Sequence, residues 1–380
     1  MNMAEAALRH LLARADIQLD GSRPWDIRVN DPRFFRTVLC RGSLGLGESY
    51  MDGWWDCEML DSCITRMIRA RLDRWGLRNP VGIGRWLKDR FVNSATRERA
   101  FLIGEEHYNH GNDLFRAMLG PTMAYTCAYW SDQDATLGAA QLAKFDLVCR
   151  KLHLFPGQTV LDVGCGFGSF ARFAAEHYRV SVTGITVSEE QARFARQLCA
   201  GLPVEIRLED YRDTARRGER FNHVVSLGMF EHVESRNYQE FFRAMNACLA
   251  PAGFFLLHTI GKHRGDGGSD PWIRKYIFPL GMIPARKQIE RAAGDALPGI
   301  LDWHEFGGWQ YDRTLLAWQQ NFAANWEREL KAGYAHKLDG RFERAWRYYL
   351  LVCAGTFRAG NLDVWQVVFA RGNYRYTPVR

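Results

Sequence analysis

The sequence predicts an α/β fold in which helices cover both faces of a doubly wound, mostly parallel sheet, with a small, mainly helical N-terminal domain attached. Three observations lead to this prediction. From about residue 140, short β-branched and apolar runs alternate with helical segments. A glycine-rich turn follows the first of these runs, and the first 90 residues lack the alternation. Such alternation is typical of parallel sheets, because right-handed crossovers place a helix between successive strands.

The alternating elements follow one another at short intervals. A helix is predicted over residues 139–152, before the helix-breaking pair Pro156 and Gly157. Strands are predicted at residues 159–163, 180–187, 204–208, 221–227 and 254–258, and helices at about 169–177, from 188 onward and at 237–249. After residue 260 the alternation stops, and residues 301–304 and 364–369 supply two closing strands, with helices between them that include one at 341–351. The predicted sheet therefore has seven strands.

The chain is predicted to form two domains. Residues 1–90 make the N-terminal domain, with turns over residues 42–47 and a linker around 79–84. Residues 91–380 make the second domain, which carries the chemistry. Within it, residues 262–300 are polar and glycine-rich at first and then apolar and basic, and we expect this insertion to cover the site.

A local excess of positive charge points to an anionic partner. The whole chain carries a modest net charge of +7, but residues 66–99 hold ten cationic side chains and three acidic ones, with tryptophans and aliphatic residues between them. This mixture suits an anionic lipid surface, so the N-terminal domain is expected to meet the membrane. A solvated linker helix and a nucleic-acid contact are the alternatives, and no nucleic-acid partner is expected.

The remaining composition excludes several classes of protein. No apolar run reaches the roughly 20 residues that a transmembrane helix needs, and the charged N-terminus does not resemble a signal peptide. The nine cysteines form no CxxC pair, which argues against disulfides and cysteine-based metal sites. Glu106, His107 and His110 lack further ligands at suitable spacing, so no metal is expected. These features predict a cytoplasmic protein that associates peripherally with the inner face of the membrane.

The segment LDVGCGFGSF, residues 161–170, predicts a nucleotide-type cofactor. It places Asp162 near the end of a strand and Gly164, Gly166 and Gly168 in the next turn, where doubly wound sheets bind ligands. A dinucleotide site usually has an acid at the end of the second strand, but this sequence has Thr186 and Ser188 there. With the polar cluster at residues 209–213, this order is the layout of class I S-adenosylmethionine-dependent methyltransferases, and NAD is the alternative cofactor.

Several motifs together resemble one family. They are DIRVNDPRFF and SLGLGESYMDGWW in the N-terminal domain, then YTCAYW, LDVGCGFG, GITVSEEQ, MFEHV, LLHTIG and WQVVFARG. With these motifs, the chain closely resembles the cyclopropane-fatty-acyl-phospholipid synthases, of the mycolic acid cyclopropane synthase-like methyltransferases, over almost its whole length. The resemblance implies transfer of a methylene from S-adenosylmethionine to the cis double bond of an acyl chain in a membrane phospholipid. It also implies a carbocation, bound bicarbonate as the base, and a homodimer formed partly through the N-terminal domain.

The resemblance also implies roles for individual residues. Cofactor contacts would fall on Tyr125, Thr126, Leu161, Asp162, Val163, Gly164, Cys165, Gly166, Phe167, Gly168, Ser169, Thr186, Ser188, Gln191, Tyr211 and Arg212. Bicarbonate would be held by Cys127, Glu231, His258, Tyr311 and the backbone of Ile260, and Cys353 matches a further active-site cysteine. The catalytic set is thus Glu231, Cys127, His258, Tyr311 and Cys353, although both cysteines have an alternative reading as inert buried thiols. Aromatic faces available to a carbocation are Tyr125, Tyr129, Trp130, Phe230, Tyr276 and Tyr311.

Three positions depart from the family pattern. Thr126 stands where serine is usual, Phe167 stands where tryptophan is usual, and Trp309 and Gln310 give Tyr311 an unusual approach. The first two changes keep a hydroxyl and an aromatic face. Two other functions remain as alternatives: methylation of lipid acyl chains without ring closure, and lipid binding by an inactive methyltransferase core.

Overall fold

The computed structural model describes residues 3–72, 112–132, 134–263, 269–279, 281–294, 296–333, 340–372 and 374–380. Contacts within the chain define two compact units. The first draws on residues 1–93, 269–279 and 311–362, and the second on residues 94–268, 280–310 and 363–380. The predicted linker at 79–84, most of the basic stretch at 66–99, and the Glu106–His110 pattern lie outside the described residues.

The helices and strands are numbered here in chain order. The helices are α1 (Met3–Ala13), α2 (Arg33–Met51), α3 (Leu60–Arg69), α4 (Asn112–Leu119), α5 (Leu137–Lys151), α6 (Ser169–Tyr178), α7 (Glu189–Leu198), α8 (Tyr211–Arg216), α9 (Tyr238–Cys248), α10 (Pro271–Tyr276), α11 (Arg286–Ala293), α12 (Gly308–Asn325) and α13 (Arg341–Arg358). The strands are β1 (Arg28–Val29), β2 (Trp55–Asp56), β3 (Thr159–Val163), β4 (Ser181–Thr186), β5 (Val204–Leu208), β6 (Phe221–Leu227), β7 (Leu249–Gly261), β8 (Gly299–Glu305) and β9 (Asp363–Ala370).

A seven-stranded sheet forms the centre of the second unit. Its order is β5-β4-β3-β6-β7-β9-β8. Strands β3 to β7 pair in parallel, and β9 lies antiparallel between β7 and β8. The strand order reverses between β3 and β6, which is the point where open α/β sheets bind ligands beyond the carboxyl ends of their strands. The predicted mostly parallel, seven-stranded fold is confirmed.

Apolar layers cover this sheet on both faces, which explains why the central strands read as continuous apolar runs. One layer includes Phe241, Phe242 and Met245 from α9, and the other includes Phe145 and Val148 from α5. All of these side chains are buried. The buried layers hold the strand ends, and the loops that follow them, in fixed positions.

Most predicted elements of the second unit coincide with observed ones, and the differences are local. Strands β3, β5 and β6 have the predicted bounds. Strand β7 begins at Leu249 rather than 254, with a register shift against Phe221 and His223, because the chain re-enters the sheet directly from α9 despite Pro251 and Gly253. Helices α4, α8 and α11 were not predicted.

The first unit is mainly helical, as predicted, but it is not one continuous stretch of chain. Helix α13 packs on α3 so closely that a Cβ at Gly355 would meet the carbonyl oxygen of Asp61, and the hydroxyl of Thr65 donates to the Gly355 carbonyl at 3.1 Å. Residues 311–362 therefore group with the N-terminal residues instead of with the sheet. The segment predicted as an insertion at 262–300 is also divided between the units.

Two further findings concern the helices. Residues 42–47, predicted as turns, lie within α2, which is interrupted at Gly42 by a positive φ of 55°. No helix within the described part of the chain has both the length and the apolar character needed to span a bilayer.

Candidate functional site

A cavity of about 200 Å³ lies at the carboxyl ends of the parallel strands in the second unit. The loops after β3, β4, β5 and β6 form its wall, together with residues 123–126. The predicted cofactor residues that line it are Tyr125, Thr126, Asp162, Val163, Gly164, Cys165, Gly166, Phe167, Ser169, Thr186, Gln191, Tyr211 and Arg212. The loop after β6, including Gly228, Met229, His232 and Val233, also lines the cavity and was not among the predicted contacts.

Three predicted cofactor residues lie behind this wall. Leu161 is fully buried in β3. Gly168 precedes α6 with a positive φ of 83°, and Ser188 caps α7 by accepting a hydrogen bond from the Gln191 N–H at 3.3 Å. Their positions shape the loops that line the cavity.

The glycine loop is hydrogen-bonded to the neighbouring strand β4. The N–H groups of Gly164 and Cys165 donate to the carbonyl of Ile185 at 2.9 and 3.0 Å. A Cβ at Gly164 would lie 2.6 Å from Cβ of Met229, and its φ of 80° is one that side chains rarely tolerate. At Gly166, by contrast, a Cβ would have no neighbour within 4 Å among the described residues. The loop is therefore packed tightly at Gly164 and open at Gly166.

Asp162 presents a buried carboxylate at the cavity. Its side chain is 1% exposed, and Oδ2 has no hydrogen-bond partner among the described residues. Burial raises the pKa of Asp162 to about 7, and the positive charge of Lys144 opposes this shift. An unpaired buried acid is stabilised by a cationic ligand, so this position suits a positively charged group of a cofactor.

The raised pKa of Asp162 predicts that the stability of the ligand-free protein depends on pH. When the pKa of a carboxyl is higher in the folded state than in the unfolded state, the protein loses stability as pH increases from the unfolded-state pKa to the folded-state pKa. As pH rises from 5 to 8, we expect the free energy of unfolding of Asp162→Asn to increase by about 2 kcal/mol relative to that of the wild type, because asparagine does not ionise. Urea unfolding at both pH values measures this difference. The exposed control Asp134→Asn should show no such change, and an equal response of the two variants would contradict the assignment.

A buried lysine, which sequence reasoning missed, supports the cavity wall. Lys144 on α5 is fully buried, and Nζ lies 2.5 Å from the Thr126 hydroxyl and 2.6 Å from Oε1 of Gln141. The Gln141 amide donates to the carbonyls of Thr126 at 2.9 Å and Ala124 at 3.4 Å. Burial lowers the pKa of Lys144 to about 7, while Cys127 and Asp162 act against this shift. The signal for this site in the sequence was the presence of two polar residues, Gln141 and Lys144, on the apolar face of a predicted helix.

Glu231 and Ile260 lie in direct contact. Glu231 belongs to a single 3₁₀ turn after β6, and its Oε1 accepts a hydrogen bond from the Ile260 N–H at 2.7 Å. Burial raises the pKa of Glu231 to about 7, against the opposing effects of this N–H and of Thr259. This bond engages the N–H of Ile260, the residue whose backbone the resemblance assigned to bicarbonate.

His258 and Cys127 are buried in the same unit. The imidazole of His258 is 2% exposed, with Nδ1 lying 3.4 Å from the amide nitrogen of Gln366. Burial, aided by the charges of Lys144 and Lys151, holds the pKa of His258 well below its usual value, so the ring is neutral. The thiol of Cys127 is 1% exposed and donates to the Ala128 carbonyl at 3.3 Å.

A second buried lysine contributes to the electrostatic environment of His258. Lys151 lies 3.0 Å from Nδ1 of His304 and 3.4 Å from Asp302, which two hydrogen bonds from Arg380 also hold. Burial lowers the pKa of Lys151 to about 7 and that of His304 to about 3. This network keeps positive charge behind the neutral histidine.

Tyr311 and Cys353 belong to the first unit. The Tyr311 ring packs against Phe357, with centroids 4.6 Å apart, and against Trp318 at 5.8 Å. Burial raises the pKa of the Cys353 thiol to about 12, with a contribution from Asp270, so it is not a thiolate. Their position beside Glu231 and His258 stays a prediction.

The aromatic residues proposed to face a cation differ in their surroundings. Tyr125 lines the cavity, where its ring meets Phe115 at 5.3 Å. Phe230 is fully buried and stacks on Tyr238 at 4.3 Å, so it belongs to the core. The hydroxyl of Tyr276, in the first unit, donates to Glu48 at 3.0 Å. Of these three, Tyr125 has the position that a cation-facing ring requires.

Comparison with known proteins identifies the family. Residues 95–367 match the model of the family described as mycolic acid cyclopropane synthetase. The chain belongs to this family. Membership confirms the predicted fold class and the predicted class of enzyme, an S-adenosylmethionine-dependent methyltransferase.

Individual members of this family are similar over much of their length. The cyclopropane-fatty-acyl-phospholipid synthase of Escherichia coli K12 is 48% identical over 95% of this chain and 92% of its own. The cyclopropane synthase MmaA2 of Mycobacterium tuberculosis superposes with a TM-score of 0.65 at 30% identity, covering 73% of this chain and 100% of that one. The mycolic acid cyclopropane synthase CmaA1, complexed with SAH and CTAB, gives a TM-score of 0.63 at 33% identity, covering 71% of this chain and 97% of that one.

Proposed function

We propose that the chain is a cyclopropane-fatty-acyl-phospholipid synthase, which adds a methylene group across the cis double bond of an acyl chain in a membrane phospholipid. The observation that carries this proposal is the 48% identity over 95% of the chain to the Escherichia coli protein of that name. This similarity extends beyond residues 95–367 of the family match and so includes N-terminal residues. A methyltransferase core alone would not account for it.

The residues of the cavity fit S-adenosylmethionine, which supplies the transferred methyl group when bound. Asp162 offers a buried, unpaired carboxylate oxygen to a cationic group. Gly166 leaves open space beside the backbone, and Tyr211 and Arg212 follow the third parallel strand of the unit, where an adenine ring would lie. These residues bind and orient the donor so that the transferred carbon faces the double bond.

Positive charge develops on the acyl chain, because the π electrons of its double bond form the new bond to the transferred carbon while the bond from that carbon to sulfur breaks. A carbocation reacts readily with water, so the site must exclude water and supply a polarisable surface. The ring of Tyr125 has such a position in the cavity wall. The apolar lining contributed by Phe145, Phe170 and Ile185 reduces the water near this ring.

Ring closure requires the loss of one proton from the transferred carbon. Bicarbonate, when bound, supplies the proton acceptor. Glu231 and His258 fit this anion, because a carboxylate accepts a hydrogen bond from its hydroxyl while the N–H of a neutral imidazole donates to its oxygen. In this proposal Cys127, Tyr311 and the Ile260 backbone complete the bicarbonate-binding set, and Cys353 is a further active-site residue.

The proposal also includes the predicted setting of the reaction. The protein acts as a homodimer at the inner face of the cytoplasmic membrane, and residues 1–90 take part in membrane contact and dimer formation. A phospholipid substrate supports this setting, because its double bonds are reached only from the bilayer.

The product formed by the purified protein tests the proposal. With S-adenosylmethionine and vesicles of a cis-unsaturated phospholipid, we expect an acyl chain that is heavier by one CH₂ group and has no double bond by mass spectrometry. A branched methyl product would identify a methyltransferase without ring closure. Cofactor binding without any lipid product would contradict the synthase function.

A further inference from the structure

A groove of about 600 Å³ lies in the first unit, and none of its lining residues belongs to the candidate site. Four parts of the chain meet there: the end of α1, the loop at Trp25, helix α3 and the last residue of α13. Its charged lining consists of Arg14, Arg66, Arg69, Arg358 and Asp16. Positive charge therefore dominates the groove, although these residues are far apart in sequence.

Two of the arginines are neutralised by carboxylates. Arg66 pairs with Asp16 at 2.7 Å, and its guanidinium lies 4.1 Å from the centre of the Trp25 ring. Arg358 is held by Asp61 at 2.5 Å and Asp312 at 2.8 Å. Asp16 also pairs with Arg23 at 2.6 Å, so one carboxylate serves two arginines.

The other two arginines carry charge without a carboxylate partner within the described parts of the chain. Arg14 is exposed at the end of α1, and no acidic side chain pairs with it. Arg69 is exposed on α3, and its guanidinium donates to the carbonyl oxygen of Arg358 at 3.1 Å. Guanidinium groups match phosphate oxygens in geometry and charge, and they pair with phosphate more strongly than a lysine ammonium does.

We propose that this groove binds the phosphate of a phospholipid headgroup. The inference rests on the proposed function, which requires the protein to reach a bilayer. Trp25 supports a lipid source for the phosphate, because its ring forms one wall and its indole N–H donates to the Asp16 carbonyl at 3.1 Å. The sequence that follows Arg69 continues the basic, tryptophan-bearing pattern expected at an anionic lipid surface.

The geometry favours a single phosphate over a nucleic-acid strand. A strand requires a positive track long enough for several successive phosphates, with aromatic faces for stacked bases. The groove offers one tryptophan and two arginines that lack carboxylate partners among the described residues. One phosphate group with its attached glycerol suits this arrangement.

Vesicle binding by the full-length protein tests the inference. We compare the wild type with the double variant Arg14→Gln and Arg69→Gln on vesicles of phosphatidylcholine containing phosphatidylglycerol. At about 1 kcal/mol per arginine, the double variant should bind roughly 30-fold more weakly at low salt. The matched control, Arg28→Gln and Arg36→Gln, removes the same charge from exposed positions outside the groove and should change binding by less than about threefold.

Further measurements separate this inference from its competitors. Calorimetric binding of S-adenosylmethionine should be equal in all three proteins, which shows that the variants are folded. Equal vesicle binding by the wild type and the groove variant would overturn the inference. Tight binding of inorganic phosphate, or of a single-stranded oligonucleotide, that is lost in the groove variant while vesicle binding persists would also overturn it. Groove-dependent vesicle binding without any lipid product would instead contradict the proposed function.

Discussion

Replacing Glu231 with glutamine is expected to lower turnover about a thousandfold while leaving the affinity for S-adenosylmethionine within about threefold of the wild type. Glutamine can still accept the hydrogen bond from the Ile260 N–H, which is 2.7 Å long in the wild type, so the local fold is retained. What it cannot do is accept a proton or hold a bicarbonate hydroxyl with a full negative charge. Steady-state rates on vesicles and calorimetry with the cofactor measure the two quantities separately.

The pH profile adds a readout that a purely structural role would not change. Because the pKa of Glu231 is about 7, the wild-type rate should fall as pH decreases through that value. The glutamine variant should lose this limb of the profile. Glu176→Gln, an exposed change on α6, serves as the control and should retain both the rate and the profile. A Glu231→Gln variant that loses cofactor affinity instead of turnover would refute the role assigned to this carboxylate.

Replacing Gly164 with alanine is expected to weaken S-adenosylmethionine binding about a hundredfold. The added Cβ would lie 2.6 Å from two side-chain atoms of Met229, and the backbone would keep a φ of 80° that alanine adopts only with strain. Either the loop or Met229 must therefore shift, and both line the cavity. Calorimetry with S-adenosylmethionine and with its demethylated product measures the loss.

Gly166→Ala provides the matched comparison in the same loop. It has a positive φ of 54°, but a Cβ there would meet no atom within 4 Å. We expect a loss of roughly tenfold, which corresponds to the backbone strain alone. Circular dichroism of both variants checks that the sheet is intact. If Gly166→Ala were the more damaging change, packing against Met229 would not be what fixes the loop.

The sheet was predictable because its signal is local. Strand β3, its glycine turn and helix α6 follow one another within about 20 residues, and each carries its own pattern of apolar residues and glycines. The same holds for β5 and β6, whose bounds were predicted from β-branched runs. The start of β7 was missed, because Pro251 and Gly253 signal a break and the pairing that overrides them involves Phe221, 28 residues earlier.

The division of the chain into units was not predictable by local patterns. Helix α13 joins the N-terminal residues through the contact of Gly355 with Asp61, nearly 300 residues away. Nothing around Gly355 in the sequence names its partner. Predicted boundaries that cut the chain only once, at residue 90, therefore missed the return of residues 311–362 to the first unit.

The candidate site was predictable where a motif specifies it and not where burial does. The glycine loop, Glu231 and His258 were named from sequence patterns. Lys144 and Lys151 were not, because a lysine in a helix is usually solvated, and only the structure shows both side chains fully buried. Burial lowers the pKa of His258 and the charges of both lysines lower it further, which are effects of the three-dimensional structure alone.

The most direct test of the proposed chemistry uses S-adenosylmethionine with a fully deuterated methyl group. Purified protein, this donor and cis-unsaturated phospholipid vesicles are incubated together, and the acyl products are analysed by mass spectrometry. Ring closure removes one hydrogen from the transferred carbon, so the product should retain two of the three deuterium atoms and contain no double bond. A product that retains all three deuterium atoms as a methyl branch would contradict methylene transfer.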